Sequence, residues 1–68
     1  MKVRYDKNAD AAYIQLSSKT PDGAVEMNEG VILHTTSKNE LVAIEILGAT
    51  QKIPIKTLYK LELIPTTS

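Results

Sequence analysis

Asp6 and Asp10 belong to the first pattern in this sequence that suggests chemistry. With Asn8 between them they have the Asp-x-Asn-x-Asp spacing that opens an EF-hand calcium loop, where alternating side-chain oxygens converge on the cation. The sixth position of such a loop requires Gly and is Ala11 here, and the twelfth requires a bidentate Glu and is Ser17. We therefore interpret the segment as a turn in which Asp and Asn side chains bond nearby backbone amides.

His34 is the single histidine, and the chain contains no cysteine. A nucleophilic mechanism would need this imidazole as the base beside a serine or threonine, and no motif fixes such a pairing. A lone histidine on an amphipathic strand is typical of a surface or an interface. The alternative hypothesis is a small metal- or nucleotide-responsive enzyme that uses Asp6, Asp10 and His34.

Glu45 interrupts the most apolar stretch of the chain, between Ile44 and Ile46. A carboxylate in such a stretch must be solvated or paired, because burying an unpaired charge is costly. Two interpretations follow. Glu45 lies on the solvent side of a strand, or it forms an ion pair with Arg4 or with a basic residue of a partner.

Composition narrows the classes of function. The chain has 68 residues, with eight basic and eight acidic side chains and no net charge. A neutral chain lacks the positive field of a nucleic-acid-binding domain, so nucleic acid is not the expected partner. The longest apolar runs are three or four residues, at 31–33 and 41–44, far below the roughly 20 that span a bilayer. No membrane association is expected.

Length and residue usage also bear on location and stability. The N-terminus lacks the apolar core of a signal peptide, so we expect a cytoplasmic protein with one domain over residues 1–68. Such a short chain has little core, and a disulfide or a thiolate zinc site is excluded because there is no cysteine. No cofactor is predicted. A partner subunit is the remaining means of stabilisation.

Alternation of apolar and polar residues predicts short strands at 1–6, 11–17, 24–28, 31–36 and 41–47. Turn-forming residues separate them, most clearly Pro21-Asp22-Gly23. Strand 41–47 is the most apolar and is predicted to be central. The expected fold is a small α+β domain: an antiparallel β-sheet meander of four to five strands with a short C-terminal helix.

The C-terminal segment 53–63 fits two periods. As a helix it places Ile55, Leu58 and Leu61 on one stripe, and as a strand its alternate residues are apolar almost as regularly. Pro54 favours the helix, because proline loses a ladder donor within a strand but loses nothing at a helix start.

A sheet with one helix has one covered face, and several apolar residues remain for the other. The predicted covered set is Val3, Tyr5, Ile14, Leu16, Ile32, Val42, Ile44, Ile46, Ile55 and Leu58. The predicted second face includes Tyr13, Val31, Leu33, Leu41 and Leu47. Since large exposed apolar patches mark interfaces, we expect a homo-oligomer or a protein partner. The predicted interface residues are Tyr13, Leu33, His34, Leu41, Glu45 and Leu47.

Two stretches resemble a known family. Residues 5–16 read YDKNADAAYIQL, similar to the pattern Y-D-x-x-A-D-A-x-Y-I-x-L. Residues 30–33 read GVIL and residues 41–49 read LVAIEILGA, similar to G-V-I-L and L-V-G-I-E-I-L-x-A. Together they resemble the small bacterial domain-of-unknown-function family numbered 2283, over residues 5–49 and in the same order.

The resemblance implies a compact antiparallel β domain with a C-terminal helical piece. It also implies, for some members, an antitoxin role beside a small ribonuclease-like toxin. Covering a basic toxin surface would use acidic residues such as Glu26 or Glu45. His34 stands where that family commonly has Asp. The predicted function is thus a non-enzymatic protein-interaction module, an antitoxin-like partner of a small toxin, that self-associates.

Overall fold

Five short strands and two short helices follow one another along the chain. The computed structural model describes residues 1–60 and 62–66. Its elements are β1 (Lys2–Asp6), β2 (Ala11–Gln15), β3 (Gly23–Asn28), β4 (Val31–Thr35), β5 (Leu41–Leu47), α1 (Ala49–Lys52) and a 3-10 helix (Ile55–Lys60). The predicted fold class is confirmed: the fold is a small α+β domain with an antiparallel five-stranded sheet and short helices near its C-terminus.

The strands form one sheet in the order β1-β2-β5-β4-β3, and every neighbouring pair is antiparallel. β3, β4 and β5 form a meander, and the β1–β2 hairpin joins it where β2 pairs with β5. The central position predicted for β5 is confirmed. β1 and β3 are the two edges.

Cross-strand register gives the sheet one apolar face. Residues directly opposite each other on neighbouring strands point to the same side. One row across all five strands is Val3, Ile14, Ile44, Leu33 and Val25, and the next is Tyr5, Ala12, Ile46 and Val31. We call these nine residues, together with Val42 of β5, the apolar face.

The opposite side, the polar face, mixes charged, polar and small residues. One of its rows is Arg4, Tyr13, Glu45, Ile32 and Glu26, and the other is Lys2, Gln15, Ala43, His34 and Ala24. Two predictions about faces are therefore wrong. Ile32 lies on the polar face, whereas Val31 and Leu33 share the apolar face with Ile44. Turn length and the bulges in β3 and β4 determine which residues of one strand share a face with which residues of the next.

The C-terminal segment is helical, but as a 3-10 helix instead of a continuous α-helix. Ile53 is extended and ends α1, and the 3-10 helix begins after Pro54. A groove of about 530 Å³ remains between this helix and β1, lined by Met1, Val3, Tyr5, Ile55, Leu58 and Tyr59. Leu61 of the predicted stripe lies outside the described residues. The 3-10 helix therefore borders the β1 side of the apolar face.

Few side chains are removed from solvent. The buried apolar residues are Ala12, Val42, Ala43 and Ala49, each at most 2% exposed. Within the described ranges no large side chain is fully buried, and members of the apolar face such as Ile14, Leu33 and Ile44 stay partly exposed. The expected covered core is therefore incomplete, since these side chains keep part of their surface in solvent.

Candidate interaction surface

The apolar face is continuous across the whole sheet. Its central row has one apolar residue on each strand, from Val3 at one edge to Val25 at the other. β3 is exposed along its entire length, and Val25 is 53% exposed. Because the row crosses every strand, a flat partner surface can contact all of them at once.

The chain exposes more area than a folded monomer of its mass is expected to expose. The chain exposes 5485 Å². A folded monomer of 7.5 kDa is expected to expose about 4,200 Å². The excess is therefore about 1,200 Å², compared with about 800 Å² that each partner buries in a standard protein–protein interface. Much of this excess lies outside the apolar face, at side chains such as Tyr59, Leu63 and Ile64, which are 84%, 95% and 71% exposed.

The polar face contains a cluster of three polar or aromatic side chains, those of Tyr13, His34 and Glu45. The His34 Nε2 and Glu45 Oε1 atoms are 3.0 Å apart, and both side chains are only partly exposed. The Tyr13 ring lies against the imidazole, with ring centroids 5.5 Å apart. The predicted pairing of Glu45 with Arg4 is wrong, since Tyr13 on β2 separates them and His34 is the partner.

The predicted interface set is divided between the two faces. Tyr13, His34 and Glu45 meet on the polar face, and Leu41 and Leu47 lie at opposite ends of β5, each about two-fifths exposed. Leu33 lies on the apolar face. Val25 was not among the predicted interface residues. Its position two residues after Gly23 in an alternating strand could have indicated that it lies on one face of the sheet.

Asp6 organises the β1–β2 turn. Its Oδ1 accepts hydrogen bonds from the backbone N–H groups of Asn8, at 2.9 Å, and Ala9, at 3.2 Å. The interpretation of this segment as a side-chain-bonded turn is confirmed.

Asp10 connects that turn to α1. Its carboxylate accepts bonds from the Tyr5 hydroxyl at 2.7 Å, the Thr50 N–H at 3.1 Å and the Thr50 hydroxyl at 2.7 Å. The Thr50 hydroxyl and then the Tyr5 hydroxyl hold the pKa of Asp10 below its ordinary value. The same bond to Asp10 raises the pKa of Tyr5. Gly48, the N-cap residue of α1, has no side chain to cap the helix, and Asp10 supplies the missing acceptor.

The three residues of the enzyme hypothesis do not meet. Asp6 and Asp10 are engaged at the β1–β2 turn, while His34 is on β4, on the far side of β5. Nowhere in residues 1–60 and 62–66 do three or more His, Asp or Glu side chains gather as metal ligands. Across the same residues, none of the helices has the length and apolar character needed to cross a bilayer.

An open antiparallel sheet with one apolar face, flanked by two short helices, defines this molecule as a small α+β domain built on a single sheet layer. Residues 2–49 match the family described as "Protein of unknown function (DUF2283)", and the chain belongs to that family. The predicted family resemblance is thereby confirmed. No curated protein and no solved structure matches the chain.

Proposed function

We propose that this protein is a non-enzymatic protein-interaction module of the cytoplasm that self-associates through its sheet. The observation that supports it is the apolar face, on which Ala12 and Val42 are buried and the larger side chains stay partly exposed. Stable domains consist of at least two packed layers around a shared core, and this chain supplies one layer and a fragment of a second. A second polypeptide completes the missing layer.

Burial of apolar surface also favours self-association energetically. Burying apolar surface stabilises by about 25 cal/mol per Å². The partly exposed residues of the apolar face leave some of that stabilisation unused in a single copy. A chain of this size has a small margin of stability, so association contributes directly to folding.

The polar face suits a second, basic partner, in the manner of an antitoxin that covers a small toxin. Glu26 and Glu45 flank Ile32 in one row. Neighbouring strands are about 4.8 Å apart, which places the Cα atoms of these two glutamates about 10 Å apart on either side of an apolar residue. Lysine or arginine residues at that spacing on a toxin surface would pair with them.

Sedimentation equilibrium of the purified chain tests self-association. We expect a mass above that of one chain at micromolar concentration and a return toward the monomer on dilution. A single species of 7.5 kDa at every concentration would overturn the proposal.

Co-purification with the product of an adjacent short basic reading frame tests the antitoxin-like role. The double variant Glu26→Gln/Glu45→Gln should lose the complex, whereas Glu29→Gln in the β3–β4 turn should retain it. High salt should weaken binding, because exposed charge pairs are screened. If the double variant bound as tightly as the unaltered chain, the acidic row would not be the contact.

A further inference from the structure

We infer that the apolar face packs against the same face of a second copy, giving a two-layer β-sandwich with both polar faces in solvent. The inference rests on the proposed self-association and names the surface that performs it. Two sheets packed in this way lie about 10 Å apart and cross at about 30°, with their inner side chains interdigitated.

The dimensions of the apolar face match such a layer. Five strands at about 4.8 Å and five residues at about 3.3 Å give a rectangle of roughly 20 by 17 Å. Its members are aliphatic residues and one tyrosine in the two central rows, and Asn28 pairs with Val31 at the β3 end of the second row. Val25 at one edge of this rectangle is 53% exposed, and the other large side chains of the two rows are partly exposed.

Charge favours a second copy as the occupant. The two central rows contain no charged side chain, so a basic or acidic partner would find no counter-charge there. The chain has zero net charge, so two copies approach without mutual repulsion. A two-fold axis then places one face against itself, and this interface closes as a dimer.

The sheet edges are less suited to pairing than the face. β1 has Lys2 and Arg4 along its edge, and β3 has a bulge between Glu26 and Asn28. Charges and bulges both oppose the addition of another strand. Face-to-face packing therefore accounts for the exposed surface better than edge-to-edge extension.

The 3-10 helix leaves room for the second sheet. It faces β1 across the 530 Å³ groove, whereas Leu33 on β4 and Ile44 on β5 are partly exposed and Val25 on β3 is 53% exposed. Leu33, Ile44 and Val25 on these strands are then the centre of the proposed contact.

Two neighbouring residues supply a matched test. Leu33 points to the apolar face and Ile32 to the polar face, on the same strand and with similar partial exposure. The chain has no cysteine, so Leu33→Cys and Ile32→Cys each introduce the only thiol. The rate of maleimide labelling is measured for each variant from micromolar to millimolar protein, alongside sedimentation.

We expect labelling of Leu33→Cys to slow by about tenfold or more over this range, following occupancy of the dimer, while Ile32→Cys labels at one rate. If the chain sedimented as a dimer but Leu33→Cys stayed fully reactive, the sandwich would be wrong and self-association would stand. If neither thiol were protected and the chain were monomeric, the proposed function would fail as well.

A second pair of cysteine variants, on the exposed edge strand, controls for the possibility that a substitution in β4 impairs folding. Val25→Cys and Ala24→Cys lie on opposite faces of β3 and disturb little packing. Protection of the first thiol alone supports the sandwich, and equal labelling of both in a sedimenting dimer contradicts it. Circular dichroism of each variant establishes that the sheet is intact.

Discussion

Asp10 links two parts of the chain that are distant in sequence. Its positive φ of 50° turns the chain from β1 into β2, and its carboxylate joins Tyr5 to Thr50, 40 residues later in the chain. Its backbone carbonyl also accepts from the Ala49 N–H at 2.9 Å. One residue therefore holds the first hairpin and the start of α1 together.

Removal of the Asp10 side chain should lower Tm by about 5 °C. Asp10→Gly is the suitable change, since glycine accepts the positive φ without strain and only the carboxylate is lost. Tyr5→Phe removes one of the three bonds and should lower Tm by less. Thermal denaturation followed by circular dichroism measures both, and equal Tm values for Asp10→Gly and the unaltered chain would refute this role.

The same carboxylate predicts a dependence of stability on pH. Its hydrogen bonds lower the folded-state pKa of Asp10 below the ordinary 3.8. A group with a depressed folded-state pKa contributes stability above its unfolded-state pKa and loses that contribution as the pH falls through the folded-state pKa. Stability should thus fall more steeply below about pH 4 in the unaltered chain than in Asp10→Asn.

Glu40 needs to be separated from this effect, because its bond with Lys19 also lowers its pKa. That pair is about half exposed and is screened by salt. Tm is therefore measured against pH at high salt. If Tm at high salt falls equally at low pH in Asp10→Asn and in the unaltered chain, Asp10 does not supply the pH dependence.

At the scale of elements, two glycines define how the β3–β4 turn and α1 approach each other. Gly30 has φ 75°, and a Cβ there would lie 3.0 Å from the Leu47 carbonyl oxygen. Gly48 has φ 63°, and its Cβ would come within 3.4 Å of the Lys52 Nζ, at the end of a flexible side chain. Both glycines have a left-handed backbone, but only at Gly30 would a side chain also crowd the backbone of another residue.

Alanine at three glycines should therefore give a graded series. Gly48→Ala should cost about 1–2 kcal/mol from the left-handed backbone alone, and Gly30→Ala should cost more because the Leu47 backbone must also move. Gly23→Ala is the control: nothing lies within 4 Å of its Cβ, and the change should stay within about 0.5 kcal/mol. Urea denaturation measures the series, and a cost at Gly30 no larger than at Gly48 would contradict the contact.

Strands were the predictable part of this fold, because alternation and turn residues are local signals. β5 was recognisable as central from its apolar content. The two faces of the sheet were harder to predict. Alternation shows that Val31 and Leu33 share one face and that Ile32 lies on the other. Which of these two faces also carries Ile44 depends on turn length and on the bulge beside His34.

The candidate sites show the same division. The Asp6 turn was predictable, since its bonds span two and three residues. The bond from Thr50 to Asp10 was not, because 40 residues separate them. The pairing of His34 with Glu45 likewise depends on register between two strands. For residues 53–63, two periods fitted almost equally, and the 3-10 helix matches neither ideal period.

The whole molecule is a single sheet layer whose stability should depend on concentration. If a second copy covers the apolar face, a tenfold rise in concentration should raise Tm by about 4 °C. Val25→Lys places a charge on that face and should remove the dependence, while Ala24→Lys on the polar face should retain it. A Tm independent of concentration in the unaltered chain would argue against the coupling.

The proposed sandwich requires contacts between two copies across the apolar face, and isotope-filtered NMR measures them directly. In a mixture of ¹³C-labelled and unlabelled chains, we predict intermolecular NOEs among methyl groups of Leu33, Ile44 and Val25, which lie in one row of that face. Ile32, on the polar face, should show none. Intermolecular NOEs confined to Ile32 and Ala24, or none in a sample at millimolar concentration, would contradict the account.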